Sequence, residues 1–293
     1  MKTAILTDTN SGITVEEGKT LGIFVLSMPT IIDYETYFEG VNLTKKEFFD
    51  AMLAGRYIST SQPSPGEVMD MCDEILGSGY EELIYIPMSS GLSNSCHSAI
   101  ALAEDYDGKV VVADNHRISV TLRMAVLDAF AWEKQGCTAQ QIKEKLEETA
   151  YESSIYLAVN TLEYLKKSGR VTPAGAAIGS ILNIKPILTI QGGKLDAYAK
   201  VRGIKKCEAK IKEAIEKDRQ ERFGEVEDKN LCIGTAGTFL KEEDAKHWKE
   251  YIQEMFPTIQ VYYDPLPCSI ASHVGPDAVG IGISIVHHSS QEG

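Results

Sequence analysis

The stretch from Glu82 to Asn94 constrains the fold more than any other. Leu83-Ile84-Tyr85-Ile86 is a short apolar run of strand length and β-branched character. Pro87 turns the chain into a cluster of hydroxyls, Ser89, Ser90 and Ser93, around Gly91. From Leu92 onward, Cys96, Ala99, Ile100 and Ala103 recur at three- and four-residue spacing, which predicts a helix starting there. The reading is strand, tight loop, helix. Upstream, Ala4–Leu6 is a short buried strand ending in Thr7-Asp8-Thr9-Asn10-Ser11-Gly12. Downstream, Lys109–Ala113 is a further strand, and a long helix over Arg117–Gln135 and another from Thr138 follow it. Strands alternating with helices imply a parallel sheet covered on both faces, an α/β fold.

Length allows two domains of this kind, since the chain has 293 residues. The character changes near Ser153, and the expected division is 1–155, a parallel-sheet domain, and 156–293, a mixed-sheet domain. In the second part, Lys185–Ile190 and Leu195–Val201 flank Gln191-Gly192-Gly193-Lys194, a hairpin signal. Lys206–Arg222 reads as a charged amphipathic helix. Asn230–Thr235 and Ile259–Tyr263 read as strands around a helix at Glu242–Met255. Ala271-Ser272-His273-Val274 reads as strand and leads into a final run, Val279–Val286. Two capping boxes mark helix starts in the first part, Thr44 with Glu47 and Ser64 with Glu67. Ile31–Phe38 predicts a hairpin.

A net charge of −13 argues against a nucleic-acid partner, which requires a basic face. The six cysteines are dispersed with no C-x-x-C pair, as reduced core thiols of a cytoplasmic protein would be. No apolar run approaches a membrane span, so no stable membrane insertion is expected, and the apolar run at the N-terminus is too short for a signal peptide. No metal site is expected: His287 and His288 are adjacent and read as a solvated terminus.

Two hydroxyl-rich loops, Thr60-Ser61 and Ser89-Ser90, flank one helix–strand unit and are placed to converge on one ligand. A helix N-terminus carries unpaired donors and a partial positive charge, and so suits an anion. The simpler reading is that Ser90 only caps the helix. The Thr7–Gly12 segment is either a ligand loop beyond a strand end or an Asx-type turn. Lys166-Lys167-Ser168-Gly169-Arg170 is a basic knot. It is either a solvated helix end with Gly169 as C-cap, or an arginine presented to a phosphate or a partner protein. Ala174–Leu182, small and apolar, permits close packing or forms a narrow wall for a slim ligand.

Six segments in order resemble the DegV family of bacterial fatty-acid-binding proteins, which includes the binding subunit of fatty acid kinase. They are Thr7-Asp8-Thr9, Thr60-Ser61-Gln62-Pro63-Ser64, Ser89-Ser90-Gly91-Leu92-Ser93, Lys167-Ser168-Gly169-Arg170, Lys185-Pro186-Ile187-Leu188 and Ser272-His273-Val274-Gly275-Pro276. The resemblance implies two α/β domains with a long-chain fatty acid held non-covalently between them. It implies a carboxylate site at Thr60, Ser61, Ser90, Gly91 and Ser93, with His273 beside the head group. It also implies that Arg170 faces a kinase partner or a phosphate, and that a separate ATP-dependent fatty acid kinase phosphorylates the acyl carboxyl group, a step of phospholipid metabolism. The expected protein is a non-catalytic lipid-binding subunit with no cofactor beyond its fatty acid.

The sequence departs from the family pattern at Asn94 and Asp277, where glycine is usual, and at Cys96, near which an aromatic is common. Asp277 is expected to raise the pKa of His273 if the two are close, and His273 is expected to be a switchable donor near neutral pH. On residues alone His273 reads as a core histidine, and the resemblance assigns it to the head group. Three other readings stand beside this one. A serine hydrolase using Ser90 and His273 lacks the G-x-S-x-G elbow. A kinase in its own right lacks a G-x-x-x-x-G-K-[ST] loop. A carrier of some other apolar carboxylate is the third.

Overall fold

The computed structural model describes residues 2–177 and 184–288. By its internal contacts the chain forms two units, Met1–Tyr151 with Pro267–Ser269, and Glu152–Leu266 with Ile270–Gly293. The first unit contains β1 (Thr3–Asp8), α1 (Val15–Leu21), β2 (Phe24–Leu26), β3 (Pro29–Ile32), β4 (Glu35–Phe38), α2 (Lys45–Leu53), β5 (Ile58–Thr60) and α3 (Pro65–Gly77). It continues with β6 (Glu82–Ile86), α4 (Ser95–Ala103), β7 (Val110–Val112), α5 (Ser119–Lys134) and α6 (Ala139–Glu148).

Four of these strands make a parallel sheet in the order β2-β1-β6-β7. Successive side chains of a strand point to opposite faces, and here both faces are covered. Ala4, Leu6, Leu83 and Tyr85 pack with Val68, Cys72 and Ile75 of α3 and Cys96 and Ala99 of α4. Ile5, Ile84 and Ile86 pack on the opposite side with Leu122, Ala125 and Ala129 of α5 and Ile142 and Leu146 of α6. This two-sided burial is why Leu83–Ile86 shows no polar alternation. Each such aliphatic side chain stabilises the unit by about 1.5–3 kcal/mol. A second sheet of this unit, β4-β3-β5, is antiparallel. It contains the expected hairpin, with Ile32 opposite Glu35. Both capping boxes form: Thr44 and Ser64 each accept from the backbone N–H three residues on, and Glu47 and Glu67 reach back.

The second unit contains β8 (Ser153–Ala158), α7 (Glu163–Ser168), α8 (Pro173–Ala176), β9 (Ile184–Ile190), β10 (Asp196–Arg202), α9 (Ile204–Glu221), β11 (Leu231–Gly237), α10 (Glu242–Met255), β12 (Gln260–Pro265) and β13 (Val279–Ile285). Its sheet is mixed, in the order β10-β9-β8-β13-β11-β12, and β11 and β12 run parallel. Ile211 and Ile215 of α9 and Trp248 and Ile252 of α10 close one face of it. The indole N–H of Trp248 donates to the Gly280 carbonyl at 2.9 Å. Gly169 ends α7 in the left-handed conformation, φ 70°, as a C-cap glycine does. The fold is α/β, with a parallel sheet in one unit and a mixed sheet in the other.

Two expectations about local structure are corrected. Ala271–Val274 is not strand: it lies in α11 (Cys268–Val274). Over so few residues the alternation of small, polar and branched side chains does not separate helix from strand. The helix expected from Leu92 starts at Ser95, because Leu92 and Ser93 turn back onto Ser89. Of the Ala174–Leu182 segment, residues 178–182 lie outside the described residues.

Candidate ligand-binding site

The strand order of the first unit contains a reversal. From β1 the chain moves to β2 on one side, then returns to β6 on the other side of β1. Open α/β sheets bind ligands beyond the carboxyl ends of the strands at such a switch point. Here those ends are Asp8 and Ile86. Asp8, fully buried, accepts from the Asn10 N–H at 2.8 Å and the Met88 N–H at 3.0 Å. It is therefore an Asx turn that also ties the loop after β6 to the loop after β1. Burial raises its pKa to about 6, against the lowering effect of those two backbone hydrogen bonds. Asn10 in turn accepts from the Ser269 hydroxyl at 2.7 Å. Ser269 is buried, and no sequence signal marks it. It joins this cluster across 259 positions of sequence.

The hydroxyl loop follows β6. Ser89 is fully buried and organises it. Its hydroxyl accepts from the Gly91 N–H at 3.1 Å. Its carbonyl accepts from Leu92 and Ser93 at 3.0 and 3.2 Å. The Ser93 hydroxyl accepts from the Ser95 N–H at 3.2 Å. The Ser90 N–H donates to Asp114 Oδ1 at 3.2 Å. The backbone donors after Gly91, expected to meet an anion, are thus largely spoken for. Ser90 is also not the helix cap, since Asn94 holds that position with no side-chain cap bond. What remains is the half-buried Ser90 hydroxyl, which has no hydrogen-bond partner among the described residues. The hydroxyl is a donor that the fold has not used.

Thr60 and Ser61 lie at the end of β5 and just beyond it. Gln62, the residue after Ser61, connects their loop to α4. Gln62 Nε2 donates to the Ser98 hydroxyl at 3.0 Å, and Asn94 Nδ2 donates to the same oxygen at 3.2 Å. The two hydroxyl loops are therefore neighbours in one unit. Asn94, at the start of α4, holds the Ser98 hydroxyl from within the same helix.

His273 and Arg170 belong to the second unit. Burial, and secondarily the positive charge of Arg170, lower the His273 pKa to about 4. The imidazole is therefore neutral at neutral pH. This reverses the expected upward shift and removes the expected switch near pH 7. The Asp277 carboxylate accepts from the Leu240 N–H at 3.3 Å. The Asp277 φ of 53° is the left-handed backbone that glycine takes most easily. Arg170 is half-buried, and its Nη1 donates to the Ser168 carbonyl at 2.6 Å. Among the described residues no cluster of three metal-ligating side chains occurs, and no helix is long and apolar enough to cross a membrane.

The sequence profile of the DegV family matches residues 2–286. The chain belongs to the DegV family. A DegV domain-containing protein of Deinococcus radiodurans is 30% identical over 97% of this chain and 98% of its own length. One from Caldanaerobacter subterraneus is 31% identical, covering 96% and 98%. Among solved structures, a Thermus thermophilus DegV family protein, studied for its fatty acid binding, superposes with a TM-score of 0.84 at 26% identity, covering 98% of this chain and 100% of that one. DegV of Bacillus subtilis, named a fatty acid binding protein, superposes equally well at 27% identity, covering 97% and 99%.

Proposed function

We propose that this protein binds one long-chain fatty acid non-covalently and presents its carboxyl group to a separate ATP-dependent fatty acid kinase. The observation that carries the reading is the unused Ser90 hydroxyl at the switch-point end of β6, in a fold whose Thermus and Bacillus relatives are named for fatty acid binding. In this reading Thr60, Ser61, Ser90, Gly91 and Ser93 form the carboxylate site, with His273 assisting as a neutral imidazole. Arg170 serves the kinase or the transferred phosphoryl group. Burying a carboxylate unpaired costs several kcal/mol, and hydroxyl donors offset that without a full counter-charge. Each buried methylene adds roughly 0.8 kcal/mol, so a long acyl chain contributes on the order of 10 kcal/mol before ordering costs. The protein itself carries out no group transfer.

Native mass spectrometry of the purified protein, followed by denaturing release, tests this directly. One added mass equal to a free long-chain fatty acid is the expected result. An adduct that survives denaturation on serine, or a bound nucleotide, overturns the reading in favour of an enzyme.

A further inference from the structure

The loop after β7 is built around the hydroxyl loop. Ser89 donates its N–H to the Arg117 carbonyl at 2.9 Å, and Ser90, the next residue, donates its N–H to Asp114 Oδ1 at 3.2 Å. Two consecutive amides of one loop are therefore held from the other. Asp114 Oδ1 also accepts from the His116 N–H at 3.3 Å, and the Asp114 N–H donates to Glu147 Oε1 at 3.4 Å.

The supporting loop is itself held in an unfavourable backbone. His116 and Ser119 have φ of 55° and 54°, a region that non-glycine residues seldom occupy. Such strain persists only where the surroundings over-determine it, and they do so here. Arg117 Nε and Nη2 donate to the carbonyls of Ala150 and Thr149 beyond α6, at 3.3 and 2.5 Å. The Arg117 N–H donates to Asn115 Oδ1 at 2.9 Å. The His116 ring stacks on Tyr151, centroids 5.5 Å apart.

We propose that Asp114 is the positioning residue of the carboxylate site: by taking the Ser90 amide it fixes the loop and leaves the Ser90 hydroxyl as the donor presented to the ligand. A carboxylate is an acceptor only and repels an anionic head group, so Asp114 acts through Ser90 and not on the ligand. Were the Ser90 N–H open, amide and hydroxyl together would make a two-donor oxyanion pocket. Asp114 withholds one of them. The proposal rests on the fatty acid reading above.

The test measures displacement of a fluorescent fatty acid by palmitic acid from delipidated full-length protein. Wild type, Asp114→Ala, Asp114→Asn, Ser90→Ala and the double variant Asp114→Ala/Ser90→Ala are compared. Amide exchange at Ser90 is followed by NMR in parallel. Asp114→Ala is expected to weaken palmitate by about tenfold. Asp114→Asn, whose Oδ1 still accepts from Ser90, is expected to stay within about threefold of wild type. In the Ser90→Ala background, loss of Asp114 is expected to add less than about twofold, because a residue acting through Ser90 has nothing left to act on. Ser90 amide protection should fall in Asp114→Ala and survive in Asp114→Asn. Additive losses in the double variant, or unchanged Ser90 protection in Asp114→Ala, overturn the proposal. If wild type fails to bind palmitate, the fatty acid reading falls, and the amide exchange alone then decides whether Asp114 positions the loop.

Discussion

Replacing Ser90 by alanine separates ligand binding from folding. The Ser90 hydroxyl has no hydrogen-bond partner among the described residues, so its removal strands no protein group and should leave stability within about 0.5 kcal/mol. A hydrogen bond to a charged group is worth about 1.5–3 kcal/mol, which converts to a roughly 10- to 150-fold rise in the Kd for a fatty acid. Ser93→Ala is the informative contrast. The Ser93 hydroxyl accepts from the Ser95 N–H at 3.2 Å, so its loss should lower stability by about 0.5–1.5 kcal/mol, as loss of one intramolecular hydrogen bond does, in addition to any loss of affinity. Isothermal titration calorimetry on delipidated protein gives the affinities, and urea denaturation of the same samples gives the stabilities. A Kd for Ser90→Ala within twofold of wild type, or a urea midpoint lowered as much as in Ser93→Ala, would refute the role of the Ser90 hydroxyl as a free ligand donor.

Three further perturbations have defined outcomes. Tyr85 is fully buried and its hydroxyl has no hydrogen-bond partner among the described residues, so Tyr85→Phe should be neutral or stabilising by up to about 1–3 kcal/mol in urea denaturation. Asp8 has a folded pKa of about 6 against an ordinary 3.8, so the stability it confers is full below pH 3.8 and is lost as pH rises to about 6. Wild type should lose roughly 3 kcal/mol relative to Asp8→Asn across that window, and parallel stability curves for the two proteins would refute the shift. His273, with a folded pKa of about 4 against 6.5, has the opposite sign: its contribution is full above pH 6.5 and is lost as pH falls toward 4. NMR titration of the ring should place its midpoint near 4, and Arg170→Ala should move that midpoint upward while burial still keeps it below 6.5. A midpoint unmoved by Arg170→Ala would mean that burial alone sets it.

Signals that act within a few residues are legible in the sequence itself. Ser64 with Glu67 and Thr44 with Glu47 are short-range capping boxes, and both form as spaced. The unbroken apolar run Leu83–Ile86 announces a strand buried on two faces, and the hydroxyl cluster after it announces an unusual loop. What the sequence hides is non-local or decided by a few residues. Leu92 falls on the same three- and four-residue spacing as Cys96, Ala99 and Ala103, which makes it resemble the first turn of a helix, yet its N–H closes a turn onto Ser89. Ser269 reaches Asn10 through the tertiary fold alone, and no spacing rule predicts a partner so far along the chain. The His273 pKa eludes a sequence reading for the same reason. Asp277 is a visible neighbour along the chain, whereas burial and Arg170, which set the shift, act through space.

The three residues Pro267–Ser269 belong to the first unit although the chain on both sides of them belongs to the second. The polypeptide therefore passes between the units three times, and the first unit is not a contiguous stretch of gene. A fragment ending at Tyr151 would lack the Cys268 N–H that donates to Glu39 Oε2 at 2.6 Å and the Ser269 hydroxyl that donates to Asn10. Modular shuffling at a single junction, by recombination or by truncation, would thus leave the switch-point loop without part of its own wall. Relatives of this chain can exchange that unit intact only by also exchanging the three-residue segment encoded more than a hundred codons downstream.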